Sequence, residues 1–241
     1  MEFTLVNGIK LYVPHSKEEL IEEAFRQKKI LSAINAEQIL ESNLKQTVFS
    51  SNHLGYPDGI GAVMVLKKQG LKAVQKIPEV ELWLEIIQKF HGKKSFYLVG
   101  DKEEVMQETV TKLKKAYPQI SILGYRTSYL NSGYEKSFLA QDILNKKPDI
   151  VFFALDSPKQ EELLEELCEM HPALYMGLRG SFDVYTGRVQ RAPRWWIANN
   201  LEWAYNFIQQ PRGINRLLGL VKFFLLLQLG KFQTNNSNQK S

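Results

Sequence analysis

Asp58 lies in the stretch SSNHLGYPDGIGAVMVLKKQG, residues 50–70, between a proline and a glycine and directly before a long helical pattern. A carboxylate in that place has two uses. Pro-Asp-Gly is a common turn sequence, and an aspartate there often caps the helix that follows. Held at the mouth of a cleft, the same group is a general base that takes the proton of an attacking hydroxyl. Gly59 and Gly61 remove side chains beside it, which lets a substrate approach the backbone and the helix N-terminus. They do not form a dinucleotide-binding fingerprint, because Met64 stands where a third glycine is required.

Other polar residues follow short apolar runs. Asn35 follows ILSAI, Gly100 and Asp101 follow SFYLV, Gln160 lies in DSPKQE after IVFFAL, and Arg179 and Asp183 lie in RGSFD after ALYMGL. Gln160 also reads plainly as a first-turn helix residue. The histidines His15, His53, His91 and His171 show no metal-ligand spacing, and no Ser/His/Asp order is recognisable, so no protein-bound metal is expected. Cys168 is the single cysteine, which excludes an intrachain disulfide and suits a reducing compartment. Its place in the helical pattern EELLEELCEM makes it a packing residue.

The segments that must position these groups alternate between β-prone runs and helical patterns. After a hairpin signal at Asn7-Gly8 and a capping-box spacing from Ser16 to Glu19, the order is ILSAIN, AEQILES; TVFSS, IGAVMVLKKQ; SFYLVG, KEEVMQETVTKLKKAY; ISILG, KSFLAQDILNK; DIVFFAL, PKQEELLEELCEM; ALYMGL. Such alternation predicts an α/β fold, a mostly parallel sheet flanked by helices, over residues 1–190. Ligands of open parallel sheets bind outside the carboxyl ends of the strands. The five polar segments all fall at those ends.

Residues 191–232 differ in character. From Arg188 onward there are eight Lys/Arg against one acid, Glu202, leaving 23 basic and 25 acidic groups before it; three of the four tryptophans also fall there. RAPRWWIANNLEWAYNFIQ and PRGINRLLGLVKFFLLLQLGK are expected to form two helices, a C-terminal basic and aromatic appendage. The apolar stretch from Leu217 to Leu229 is 13 residues long and includes Lys222, too short to span a bilayer. A cationic, aromatic, Leu/Phe-rich appendage suits an anionic membrane surface better than nucleic acid. The α/β domain is expected to fold without it, and residues 233–241 to be disordered. The N-terminus MEFTLVNGIKLYV does not read as a signal peptide, which points to the cytoplasm.

Taken together, INAEQIL, YPDGIGAVMVLKKQG, FYLVGDKEEVMQETVTKLKKAYPQISILG, KPDIVFFALDSPKQEE and MGLRGSFDVYTGRVQRAPRWWIANNLEWAY resemble the WecG/TagA/CpsF family of glycosyltransferases. The resemblance runs in order from about Leu31 to Phe224, and SFDVYTGRVQRAP followed by Trp and LEW is its most specific part. It implies a Rossmann-like fold and an inverting, metal-independent transfer of a sugar from a UDP-sugar to a polyprenyl-diphosphate-linked sugar. That reaction serves bacterial exopolysaccharide, capsule, antigen or teichoic acid synthesis at the inner face of the plasma membrane. No cofactor beyond the donor is implied; a homo-oligomer is compatible. The resemblance carries the role of general base to Asp58 and substrate contacts to Asn35 and Gln160. It also implies that the basic appendage docks on the membrane and completes the site.

Without a metal, charge growing on the leaving UDP must be met by arginines and backbone N–H groups. Arg191, Arg216 and Arg212 are candidates, each also readable as a solvated charge on a membrane-facing helix. The chain departs from the family pattern at Ala33, Asp101, Asp156, Arg179, Asn206 and Gly213. Asp101 and Asp156 add negative charge at the expected cleft, and Arg179 is the residue expected to pair with one of them or to bind phosphate. A rearranged donor pocket is one reading of these changes. The alternative is a non-catalytic member that binds nucleotide or lipid or scaffolds a biosynthetic complex.

Overall fold

The computed structural model describes residues 1–41, 51–100, 102–127, 133–155, 159–209, 214–232 and 234–235. The chain opens with a hairpin of β1 (Glu2–Val6) and β2 (Ile9–Val13), paired antiparallel from Glu2↔Val13 to Val6↔Ile9. Asn7 and Gly8 turn it with φ of 50° and 83°, the left-handed pair that asparagine and glycine adopt at least cost. Helix α1 (Lys17–Gln27) starts as its capping box predicts. The Glu19 N–H donates to Ser16 Oγ at 3.1 Å, and Glu19 Oε2 accepts the His15 N–H at 2.7 Å.

Strands and helices then alternate: β3 (Ile30–Ile34), α2 (Ala36–Glu41), β4 (His53–Pro57), α3 (Ile60–Lys68), α4 (Glu79–Phe90), β5 (Ser95–Gly100), α5 (Glu103–Ala116), β6 (Ser121–Thr127), α6 (Gly133–Lys146), β7 (Ile150–Ala154), α7 (Lys159–Met170) and β8 (Leu174–Leu178). The C-terminal elements are α8 (Ser181–Thr186), α9 (Arg194–Ala198), α10 (Glu202–Gln209), α11 (Ile214–Gln228) and β9 (Thr234–Asn235). The mostly parallel α/β organisation read from the alternation, Rossmann-like as the resemblance implies, is the one found.

The chain divides into two compact units. One holds the described residues of Met1–Leu20, Ala33–Pro78 and Arg191–Ser241; the other holds Ile21–Ser32 and the described residues of Glu79–Gln190. In the first, the strand order is β3-β4-β2-β1-β9, with β2 and β4 parallel. In the second it is β6-β5-β7-β8-β3, and every pairing is parallel.

Three local expectations change. A strand, His53–Pro57, buried throughout, directly precedes Asp58; of the expected TVFSS, Thr47–Ser50 lie outside the described residues. Its sequence HLGYP offers neither alternation nor a β-branched run, so periodicity could not find it. Helix α4, absent from the expected alternation, places Trp83 edge-on to Phe152, Phe182 and Tyr185 at 5.8, 5.5 and 5.2 Å between ring centroids. The stretch expected to form one helix from Arg191 is split into α9 and α10, with Asn200 between them at φ 59°. Asparagine tolerates that left-handed conformation better than most residues.

The core of the first unit joins both chain ends. Val6, Ile9, Leu11, Ile34, Ile39, Ala62, Val63 and Leu66 are buried with Phe223 and Leu227 of α11 and with Phe232. Lys68 donates from Nζ to the Leu227 and Gln228 carbonyls at the end of α11, where the Leu227 carbonyl also accepts the Gly230 N–H at 3.1 Å. Thr234 and Asn235, expected in a disordered tail, pair antiparallel with Val6 and Leu5 of β1. The core of the second unit includes Tyr97, Val99, Val151, Phe153, Leu164, Leu167 and Tyr175. Cys168 belongs to it, and burial raises its thiol to about 11, in keeping with a packing residue.

Because α11 fills a core, ending the chain after Val189 is expected to remove cooperative unfolding of the first unit and to leave a poorly soluble product. Circular dichroism melting checks this; a soluble chain with native helix content and a sharp transition counts against it.

Candidate active site

In the first unit the carboxyl ends of β3 and β4 hold Asn35 and Asp58. Asn35 opens α2 as a cap. Its Oδ1 accepts the Glu37 and Gln38 N–H groups at 2.8 and 3.2 Å, and its own N–H donates to Gln38 Oε1 at 3.1 Å. The cap uses the side-chain oxygen and not the amide nitrogen.

The Asp58 N–H donates to the Ile34 carbonyl at 2.9 Å, so the chain leaving β4 is tied to the last residue of β3. Asp58 is half-buried. Gly59 follows at φ 91° as the N-cap of α3, and a Cβ on it would lie 3.9 Å from Asn35 Cβ. A side chain is strained at that φ, so the turn itself requires glycine. Pro-Asp-Gly makes the turn, and the N-cap position belongs to Gly59 rather than to Asp58.

Gly61 has a different reason to be glycine. It is buried, and a Cβ there would stand 2.8 Å from Ala36 Cβ and 3.3 Å from the Phe223 ring. The missing side chain seats α2 and α11 against α3; it does not open the backbone to substrate, as expected from spacing alone. Arg191 is likewise engaged. Its Nε lies 3.4 Å from Glu202 Oε1, and Lys76 Nζ lies 3.7 Å from Glu202 Oε2. The single acid of the basic quarter is thus flanked by two cations, an arrangement neither of the expected readings of Arg191 contained. Arg212 and the side chain of Arg216 lie outside the described residues.

In the second unit, Gly100 ends β5 where a Cβ would meet Met106 Sδ at 2.0 Å and the Phe182 ring at 2.9 Å, again a packing requirement. Asp101 and Asp156 lie outside the described residues. Gln160 is buried, and its Oε1 accepts the Leu155 N–H at 3.0 Å, holding the start of α7 to the end of β7. A Cβ on Gly177 of β8 would come within 2.5 Å of Gln160 Nε2, so that glycine makes room for the amide. Asp183 is half-buried on α8, and its backbone carbonyl accepts the Arg188 and Val189 N–H groups at 2.9 and 3.2 Å.

Arg179 follows β8 directly. Asp101 and Asp156, its expected partners, lie outside the described residues; among the described residues Arg179 meets Glu79, the first residue of α4. Glu79 Oε1 accepts the Arg179 N–H at 2.7 Å and the Ser181 hydroxyl at 2.9 Å, and Oε2 lies 3.9 Å from Arg179 Nε. Glu79 is only 7% exposed. In sequence its one signal is an acid opening an amphipathic helix, which reads as an ordinary first-turn residue.

A cavity of about 500 Å³ in the second unit was also not foreseen. Glu103, Tyr125, Arg126, Thr127, Tyr134 and Phe138 line it. The Tyr125 hydroxyl donates to Glu103 at 3.2 Å, and the Arg126 guanidinium lies 4.3 Å from the Phe138 ring centroid and 3.5 Å from Asp142. Flat rings beside carboxylates and a guanidinium form a surface suited to a sugar or nucleoside. Among the described residues no group of His, Cys, Asp and Glu could hold a metal ion.

Residues 8–237 match the Glycosyl transferase WecG/TagA/CpsF family. The chain belongs to this family. It is therefore a hexosyltransferase by family. Over 180 residues it is 36% identical to the N-acetylglucosaminyldiphosphoundecaprenol N-acetyl-beta-D-mannosaminyltransferase of Bacillus subtilis (strain 168), a similarity covering 74% of this chain and 69% of that enzyme. The family match takes in residues of both units and extends through α9, α10 and α11. Among the described residues no helix of this WecG/TagA/CpsF enzyme is long and apolar enough to cross a membrane.

Gly61→Ala is expected to destabilise the enzyme by about 1–3 kcal/mol through overpacking against Ala36 and Phe223. Urea denaturation measures the change. An unaltered midpoint would mean that α2 or α11 yields without cost.

Proposed function

We propose that this enzyme transfers a hexose from a UDP-sugar to a sugar carried on a polyprenyl diphosphate, with inversion and without a metal, in cell-surface polysaccharide assembly. The name of the Bacillus subtilis relative supports both halves: an N-acetylmannosaminyl group is moved, and the acceptor is an N-acetylglucosaminyl diphosphoundecaprenol. The observation that carries the proposal is the fastening of half-buried Asp58 to the carboxyl end of β3, beside Asn35.

In this reaction the acceptor hydroxyl oxygen bonds to the donor's anomeric carbon from the face opposite the diphosphate. The anomeric C–O bond breaks and UDP leaves with its electron pair. The Asp58 carboxylate takes the hydroxyl proton. Asn35 contributes its amide nitrogen to substrate contact, since its oxygen is committed to the cap. Gln160 acts more by holding its loop than by touching substrate, since its oxygen holds the Leu155 N–H. Arg179, Arg191, Arg212 and Arg216 are the cations proposed to meet diphosphate charge, with Arg191 sharing Glu202.

The acceptor's lipid calls for a membrane surface, and α11 offers one. Phe223 and Leu227 point into the core, whereas Leu218, Val221, Leu225 and Leu229 are exposed and recur at the steps of one helix face. Trp195, Trp203 and Ile208 add further exposed apolar area. Lying on an anionic leaflet, such a face buries its leucines among the lipids while the neighbouring basic residues meet the headgroups. The enzyme accordingly works as a peripheral protein at the inner face of the plasma membrane.

Asp58→Asn is expected to lower transfer by about 10²–10⁴-fold while UDP-sugar affinity is retained; full activity in this variant removes Asp58 as the base. Leu218→Glu with Leu225→Glu is expected to abolish flotation with phosphatidylglycerol vesicles without altering the circular dichroism spectrum. Continued flotation would place membrane contact elsewhere.

A further inference from the structure

Glu79 is a buried carboxylate that none of the assigned roles uses. Its Oε1 accepts two hydrogen bonds from the connection between β8 and α8, the Arg179 N–H and the Ser181 hydroxyl. Neutral donors of that kind are satisfied equally well by an uncharged amide oxygen, so they give no reason for a charge. A buried carboxylate is costly unless a cation faces it. The guanidinium of Arg179 does so at 3.9 Å, beyond hydrogen-bond length, with its side chain 39% exposed against 9% for Glu79. One turn further along α4, Trp83 packs edge-on to Phe182 and Tyr185 of α8. The same helix thus grips this connection at two points, and the first grip is electrostatic.

Arg179 stands directly after β8, at the carboxyl end of the parallel strands of the second unit, where ligands of such sheets bind. We infer that Glu79 is a positioning residue for donor binding: it fixes the backbone of Arg179 and orients the half-exposed guanidinium toward the diphosphate of the sugar donor. The inference rests on the donor being a nucleoside diphosphate sugar, as proposed above. The guanidinium then needs less ordering when the diphosphate arrives, so the gain appears in donor affinity rather than in the chemical step.

The test compares wild type, Glu79→Gln, Arg179→Ala and the double variant by calorimetric UDP binding and by donor KM and kcat, with a thermal melt of each. Glutamine keeps an acceptor for the Arg179 N–H and the Ser181 hydroxyl while removing the charge. Glu79→Gln is expected to melt near wild type and to raise donor KM roughly three- to five-fold at nearly unchanged kcat, the size expected for a partly exposed ion pair. In the Arg179→Ala background the same substitution is expected to change nothing further. An unchanged KM in Glu79→Gln, or an equal rise with and without Arg179, overturns the positioning role while leaving the donor reading intact. A wild type that binds no UDP and transfers no sugar removes the donor reading and this role with it.

Discussion

The 2.9 Å hydrogen bond from the Asp58 N–H to the Ile34 carbonyl is the constraint on which the first unit's candidate site depends. It ties the chain leaving β4 to the last residue of β3, so Asn35 and Asp58 leave neighbouring strand ends. Two further choices keep that junction in place. Gly59 accepts the φ of 91° that starts α3 at once, and Asn35 satisfies the first N–H groups of α2 with its own side chain. The backbone geometry thereby sets where the carboxylate is presented.

Behind this junction stands α11. Phe223 lies against Gly61, the second residue of α3, in the core that also holds Ala36, the first residue of α2, and is fully buried there. One helix therefore has two apolar faces with different partners: an inner one that completes a core and an outer one left to the surroundings. A helix apolar all round is ordinarily buried on all sides. The outer face, with Leu218, Val221 and Leu225 exposed, is the one for which a membrane surface is proposed as the partner.

Small residues in this chain are kept for two distinct physical reasons. Gly59 serves conformation, whereas Gly61, Gly100 and Gly177 serve close approach, each marking a place where a Cβ would fall within 2.8 Å of a neighbouring atom. Gln160 fits the same logic, because the space left by Gly177 receives its amide. Residues at strand ends that look available for substrate can thus be held by packing, and the groups proposed for chemistry are those that packing leaves half-exposed, Asp58 and Arg179 among them.

By itself the sequence determined the α/β alternation, the Asn7-Gly8 hairpin, the Ser16–Glu19 cap, the charge of the last quarter and the family, because each is written in local periodicity, turn chemistry or a contiguous motif. Tertiary structure alone decided the rest. That Gly61 answers to Phe223 and that Arg179 meets Glu79 are pairings across long sequence separations, and that Arg191 meets Glu202 joins two helical segments across a turn. Periodicity carries no record of such partners. Whether a glycine opens a site or fills a contact, and whether an arginine meets solvent or a buried acid, depends on what the fold brings within a few ångströms of it.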